Sequence, residues 1–267
     1  MFFEAPTAPT PKCYAHLLGN CSAALSREHV FTKSVMGEGG IGLDGYPSIP
    51  DGKVIGIASA TSKILCTKHN SDLSSLDSEA KKLSEALDNF HSAESGSAEV
   101  ELDGTLFERW LMKVSMGYLA AGHTPLGRRY PSNPNVVAAL FGIIPMAPPI
   151  GMYSMVGVDR HTSRVKEVLF RELVATDPHG LNRVVGAMVA LHGIPFLFSF
   201  GGPFPIEDYL RRPDGTSYLD PYDCTSARAV FHPPYLRLSD EGKKQLEIRI
   251  QWPSPTNSEP PAPHSTD

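Results

Sequence analysis

The chain has 267 residues, 41% hydrophobic and 20% charged, with a formal net charge of -5. That length can bury a sizeable core, and that hydrophobic fraction excludes a wholly disordered chain. The acidic balance leaves no global basic footprint, so any nucleic-acid contact must use a local patch. Four cysteines are too few for a disulfide-stapled secreted scaffold. The opening MFFEAPTAPTPK has no basic start and no long apolar core, so no signal peptide is expected.

Residues 1–12 are Pro/Thr-rich and are expected to be flexible. From Cys13 to Asn70 long apolar periodicities are scarce. Gly37, Gly39, Gly40, Gly42 and Gly45 crowd one segment, which reads as a loop. Regions this poor in core-forming residues are usually held by a metal or a docking partner. Leu73, Leu76, Ala80, Leu83, Leu87 and Phe90 then repeat at three- and four-residue steps, which predicts one helix of about five turns. HSAESGSAE breaks it. Thr105-Leu-Phe-Glu108 has the form of a capping box and predicts a helix from Leu106 to Ala121, ended by Gly122. Trp110, Leu111, Val114 and Tyr118 would face the core.

Two stretches lack charge, Tyr130 to Val158 and Val184 to Ile206. Both carry several Pro or Gly residues, so they read as core and loop rather than membrane spans. Glu167 to Thr176 is predicted as a strand. Val184 to Leu191 and Ile194 to Phe200 flank His192-Gly193 as a hairpin would. Leu246, Ile248, Ile250 and Trp252 alternate with polar residues, the pattern of a half-buried strand, and Asp240 to Gly242 supply the turn before it. Residues 253–267 are expected to be a disordered tail. The fold class is therefore α+β, a small metal-stabilised module followed by helices and an antiparallel β-rich region.

Three of the four cysteines, Cys13, Cys21 and Cys66, fall in the first quarter of the chain. Cys66-Thr-Lys-His69 lets one turn present thiolate and imidazole to a single ion, a set suited to tetrahedral zinc. The site is Cys13, Cys21, Cys66 and His69, or His16 replaces one member. Between the two pairs stands Ser26-Arg27-Glu28-His29. An acidic residue beside a histidine can hold a hard divalent ion while the imidazole takes a proton from water. On a regular strand the two side chains diverge, so joint use needs a bend or a strand exit.

The order Cys, Cys, Glu-His, Cys-x-x-His-Asn resembles the HNH, or ββα-metal, nucleases. KCYAHLLGNCSAALSREHVFTKSV and KILCTKHNSDLSSLD carry the likeness, and Glu-Arg-Trp-Leu-x-Lys at 108–113 is similar to an uncharacterised bacterial subgroup of that family. The specific match covers about 12–113. It implies an HNH-like module over 13–93, ahead of a helical then β-rich region over 94–252. Glu28 and Asn70 would hold a catalytic Mg2+ or Mn2+, and His29 would be the general base. Cys13, Cys21, Cys66 and His69 would hold a structural Zn2+. Arg27, Lys33 and Lys68 are the cations expected to meet nucleic acid.

The sequence departs from the family in two places. The first cysteine pair is eight residues apart rather than Cys-x-x-Cys, and Thr61 stands where many members have a base-orienting Asn. The expected activity is a cytoplasmic endonuclease hydrolysing phosphodiester bonds, in DNA rather than RNA. The family likeness brings a role in phage defence and control by a partner protein. The competing readings are a catalytically degenerate, zinc-stabilised binding module within a larger complex, and an unrelated enzyme on the β-rich half. Cys224, His161, His179 and His192 lack spaced partners and read as structural. Gly201-Gly202-Pro203 reads as a turn, since it lacks the Gly-Lys-Ser/Thr of a phosphate loop. Arg211-Arg212, and Lys243-Lys244 with Arg237 and Arg249, read as solvated surface.

Overall fold

The computed structural model describes residues 12–29, 32–36, 40–43, 53–56, 61–122, 133–147, 149–156, 167–176, 182–200, 228–240 and 242–253. Glu28 and His29 enter it through their backbone. Residues 1–11 of the expected flexible start and 254–267 of the expected tail lie outside the described residues, as do Cys224, His161, His179, 201–203 and 211–212.

The apolar stripe organises the middle of the chain. Leu73, Leu76, Ala80, Leu83, Leu87 and Phe90 are all buried, as their spacing demands. They do not share one helix, however. A short α1 (Lys33–Met36) precedes them; α2 (Thr67–Asp72) then gives way to a 3-10 turn at Ser74–Leu76 before α3 (Asp77–Ser92). Asn70 therefore sits on a two-turn helix of its own. Cys66 caps that helix, its sulfur accepting from the His69 amide.

α4 (Gly104–Ala121) runs through the centre of the core and buries Phe107, Trp110, Leu111, Val114 and Tyr118. Phe107 meets Phe196 edge-on at 5.0 Å, and Tyr118 stacks on Phe170 at 3.9 Å. The expected capping box is corrected. Asp103 is the N-cap, its carboxylate accepting from the Leu106 amide at 3.0 Å. Thr105 already lies inside the first turn, and Glu108 turns into the interior. There it accepts from the Met152 amide at 2.6 Å and meets His232 Nε2 at 2.9 Å. The helix ends at Gly122, whose φ of 76° is left-handed, as the sequence suggested.

Among the described residues three sheets hold the strands. β1 (Leu25–His29) pairs antiparallel with β4 (Thr61–Cys66). The largest sheet contains β2 (Gly40–Leu43), β3 (Lys53–Gly56), β6 (Ile150–Val156), β7 (Glu167–Thr176), β8 (Asn182–Leu191), β9 (Ile194–Phe200) and β10 (Arg228–Phe231). Their spatial order is β10-β6-β9-β8-β7-β2-β3. The third sheet runs β11 (Tyr235–Asp240), β12 (Lys244–Gln251), β5 (Gly96–Asp103). His192 and Gly193 turn the β8–β9 hairpin with φ of 48° and 82°, the paired positive values of a type I′ turn.

The α+β class holds, with three differences from the sequence reading. Gly40 and Gly42 lie on β2 rather than in a loop, because β3 and β7 satisfy their backbone from both sides. The segment that breaks the stripe helix runs directly into a strand, β5, from Gly96 on. The sheets are mainly antiparallel, but β2–β7 and β5–β12 are parallel, and neighbours of that kind need a long connection rather than a hairpin. Both charge-free stretches supply core. The first gives α5 (Pro134–Leu140) and β6, the second β8 and β9. Among the described residues no helix is long and apolar enough to cross a membrane.

Candidate functional site

Cys13 opens a turn that continues as a 3-10 turn at His16–Leu18. Gly19 and Asn20 follow with φ of 75° and 54°. Two successive residues with positive φ reverse the chain and return Cys21 toward Cys13. This explains the long gap in the first cysteine pair. Cys66, at the end of β4, and His69, on the first turn of α2, approach from the other side.

The cluster has the dimensions of a tetrahedral metal site. His69 Nδ1 lies 3.4 Å from Cys13 Sγ, 3.7 Å from Cys21 Sγ and 3.3 Å from Cys66 Sγ. All four donor atoms fall within 4.8 Å of one another. Zn–S and Zn–N bonds at the tetrahedral angle give an S···N edge of about 3.5 Å. Cys13, Cys21, Cys66 and His69 could thus hold a metal such as zinc. His16 does not join them; its Nδ1 bonds the Cys13 carbonyl at 3.0 Å.

Electrostatics favour the same conclusion. Burial pushes the Cys13 thiol up to about 12, with the neighbouring Cys21 adding to the effect. Burial also works against ionising Cys66, but hydrogen bonds from the His69 and Ser22 backbones help hold it down to about 7. Burial lowers His69, and Lys68 adds to this, while a hydrogen bond to the Gly19 backbone opposes it. Three crowded sulfurs and a neutral imidazole suit a divalent ion, whose charge stabilises thiolates that burial alone would protonate. Cys13, Cys66 and His69 are buried and Cys21 is exposed. Phe141, just after α5, closes the site with its ring edge-on to His69 at 5.3 Å.

The cluster adjoins the β1–β4 pair. Glu28 stands opposite Ser62 and His29 opposite Thr61. The register slips on the way. Ser26 faces Leu65, so two steps along β1 match three along β4. The extra residue on β4 makes a bulge, a device that re-aims side chains and often lies beside active sites. The Ile64 carbonyl, within the bulge, accepts from the Tyr14 amide at 2.9 Å and ties the strand to the cysteine turn. Arg27 Nε donates to Thr61 Oγ1 at 3.1 Å.

Asn70 faces away from the cluster. Its Nδ2 donates to Ser26 Oγ at 2.9 Å, which puts the amide against β1, two residues before Glu28. Successive helical side chains diverge by about 100°, so His69 and Asn70 serve different sides of α2. Arg27, Lys33 and Lys68 are exposed, and Lys68 pairs with Asp72 at 2.8 Å. The cations of the third sheet are committed elsewhere. Arg237 and Arg249 both pair with Glu247, and Lys244 is buried beneath the carbonyls of His91 and Ala93.

Sequence reasoning missed the residues that brace this region from behind. Asp77 receives the Thr32 hydroxyl at 2.6 Å and the Lys113 ammonium at 3.1 Å. Asp77 closes the Leu-Ser-x-Leu-Asp element and Lys113 closes Glu-Arg-Trp-Leu-x-Lys. The paired charges ending two motifs were the available signal. Compared with protein-family models, curated proteins and solved structures, the chain matches none.

Proposed function

We propose that the protein is a metal-dependent endonuclease of the HNH type, hydrolysing phosphodiester bonds in DNA. The observation that carries this reading is the contact of Asn70 with Ser26. It brings the residue after the cluster's His69 against the strand that bears Glu28 and His29. The order β1, β4, α2, with two cysteines before it and Cys66 and His69 at the strand–helix joint, agrees with a ββα-metal module.

Glu28 and Asn70 would hold Mg2+ or Mn2+, which when bound stabilises charge on the attacked phosphate and the leaving oxygen. The carboxylate supplies a hard anionic ligand, and the amide oxygen a weak neutral one that leaves positions open for substrate. His29 takes the proton of the attacking water at a ring nitrogen, and must be neutral to do so. The Thr61 hydroxyl, opposite His29, replaces the family's Asn as the orienting group. The Cys13, Cys21, Cys66 and His69 cluster holds the cysteine turn against α2 and takes no part in chemistry. Arg27, Lys33 and Lys68 contact phosphates.

The test is cleavage of supercoiled plasmid by the full chain with Mn2+ or Mg2+, wild type against His29→Ala. The expected result is nicking by wild type and none by a folded variant. A specific observation favours a second reading. Thr61 Oγ1 accepts from Arg27, which leaves one lone pair and the O–H proton for an imidazole, a weaker orienting group than an amide. Plasmid binding without cleavage by wild type would make the protein a degenerate binding module instead.

A further inference from the structure

β1 ends at His29, and Thr32, three residues on, is a well-anchored point. That point is held from several directions. Thr32 Oγ1 donates to Asp77 Oδ1 at 2.6 Å, at the start of α3. Lys113 of α4 donates to both oxygens of the same carboxylate at 3.1 Å. The Thr32 carbonyl accepts from the Val35 amide at 3.0 Å. The Val35 carbonyl accepts from Ser84 Oγ of α3 at 2.8 Å, and Ser84 also lies 3.3 Å from His192 Nε2 at the β8–β9 turn. On the other side, His29 is in register with Thr61.

We propose that Thr32 is a positioning residue for the candidate catalytic segment Glu28–His29, with Asp77 and Lys113 as its anchor. The inference rests on the nuclease reading and extends it to residues that touch neither metal nor substrate. Three residues of chain span at most about 10 Å. A fixed Thr32 therefore confines His29 from one side, while the ladder to β4 confines it from the other. Without the Thr32 hydroxyl the bond to Asp77 is gone, and the ladder to β4 carries more of the segment's placement. Misplacement of about 1 Å can cost a large factor in rate without any direct contact. The arrangement also gives the β-rich region a role, since His192 sits behind Ser84 and braces the same segment.

Thr32 is only partly buried, so its hydroxyl can be removed with little change of shape. The experiment compares wild type, Thr32→Val and Thr32→Ser in plasmid nicking with Mn2+. Metal content and melting temperature are measured on each protein. Thr32→Val should lower kcat by roughly tenfold to a hundredfold, with KM, zinc content and melting temperature unchanged. Thr32→Ser, which restores the hydroxyl, should recover most of the rate. A wild-type kcat in Thr32→Val overturns the positioning role while leaving the nuclease reading intact. A rate loss that comes with lost zinc or a lowered melting temperature also overturns it, because Thr32 would then be merely structural. A wild type that cleaves no plasmid removes the nuclease reading, and the positioning role with it.

Discussion

Lys113 donates to both carboxylate oxygens of Asp77 at 3.1 Å, across 36 residues of sequence. The pair joins the start of α3 to the middle of α4, with only 6% of the Lys113 side chain and 17% of Asp77 exposed. Two ions this poorly hydrated are costly unless each has its partner. The relationship explains why an ionic residue appears at position 113 of an otherwise apolar helix segment.

Breaking the pair from its two sides should differ. Asp77→Ala removes the carboxylate partner of a buried ammonium and should destabilise the fold by about 3 kcal/mol. Lys113→Met leaves a carboxylate that keeps the Thr32 hydroxyl and more water, and should cost about 2 kcal/mol. The double variant should cost less than the sum. Urea denaturation of the four proteins checks this, and strict additivity would show that the charges do not interact.

The α+β class, the buried stripe, α4 and the β8–β9 hairpin were legible because apolar spacing and turn residues speak locally. β5 was not, because GSAEVELD is exposed along nearly all its length, with Leu102 its one buried residue, and its ladder partner β12 lies far along the chain. β2 was hidden for the same reason, its glycines being held by β3 and β7. At the site, the Cys-x-x-His spacing fixed half of the cluster. The other half needed the positive-φ turn at Gly19 and Asn20, which joins cysteines eight residues apart. The Asp77 anchor joins distant motifs and became visible only with the fold.

The cluster should bind about one zinc per chain, and its loss should unfold the N-terminal region. Cys66→Ser, at a buried position that also caps α2, should give insoluble or partly unfolded protein. Cys21→Ser, at the exposed position, should remain folded with weakened metal affinity, because water can take the vacated coordination position. Elemental analysis and thermal melts in chelator measure both effects. A well-folded, untreated preparation containing no zinc would exclude the assignment.

Asn70 separates catalytic from structural roles. Asn70→Ala loses both the hydrogen bond to Ser26 and the proposed metal ligand, and should reduce plasmid cleavage by orders of magnitude without releasing zinc. Asn70→Asp keeps an oxygen ligand, and Ser26 can reverse its hydroxyl to donate to the carboxylate. That variant should retain activity with Mn2+. Near-wild-type cleavage by Asn70→Ala would remove Asn70 from the metal site.

The cap of α4 offers a purely structural check. Asp103→Ala removes the acceptor for the Leu106 amide and should cost about 1 kcal/mol. Thr105→Ala should change stability by less than about 0.5 kcal/mol, since Thr105 lies within the helix. Equal losses would restore the capping box suggested by the sequence.

Glu172 gives a pH dependence of defined sign. It lies on β7, two residues from Phe170, so both share the face on which Tyr118 of α4 stacks. Its Oε1 is buried and has no hydrogen-bond partner among the described residues. Burial raises its pKa from 4.5 to about 8. The folded chain therefore binds this proton more tightly than the unfolded chain does. Its contribution is fully present below about 4.5 and is lost as pH rises toward 8. Glu172→Gln removes the titration and keeps the shape. Its stability relative to wild type should increase steadily between pH 5 and 8 and level off above. The full shift sets a ceiling of about 5 kcal/mol. Because Glu172 is partly exposed, water can relax its charge, and a gain of roughly 2–3 kcal/mol is expected. Urea denaturation of both proteins at several pH values measures it. Parallel stability curves for wild type and Glu172→Gln would show that the carboxyl ionises normally in the folded state.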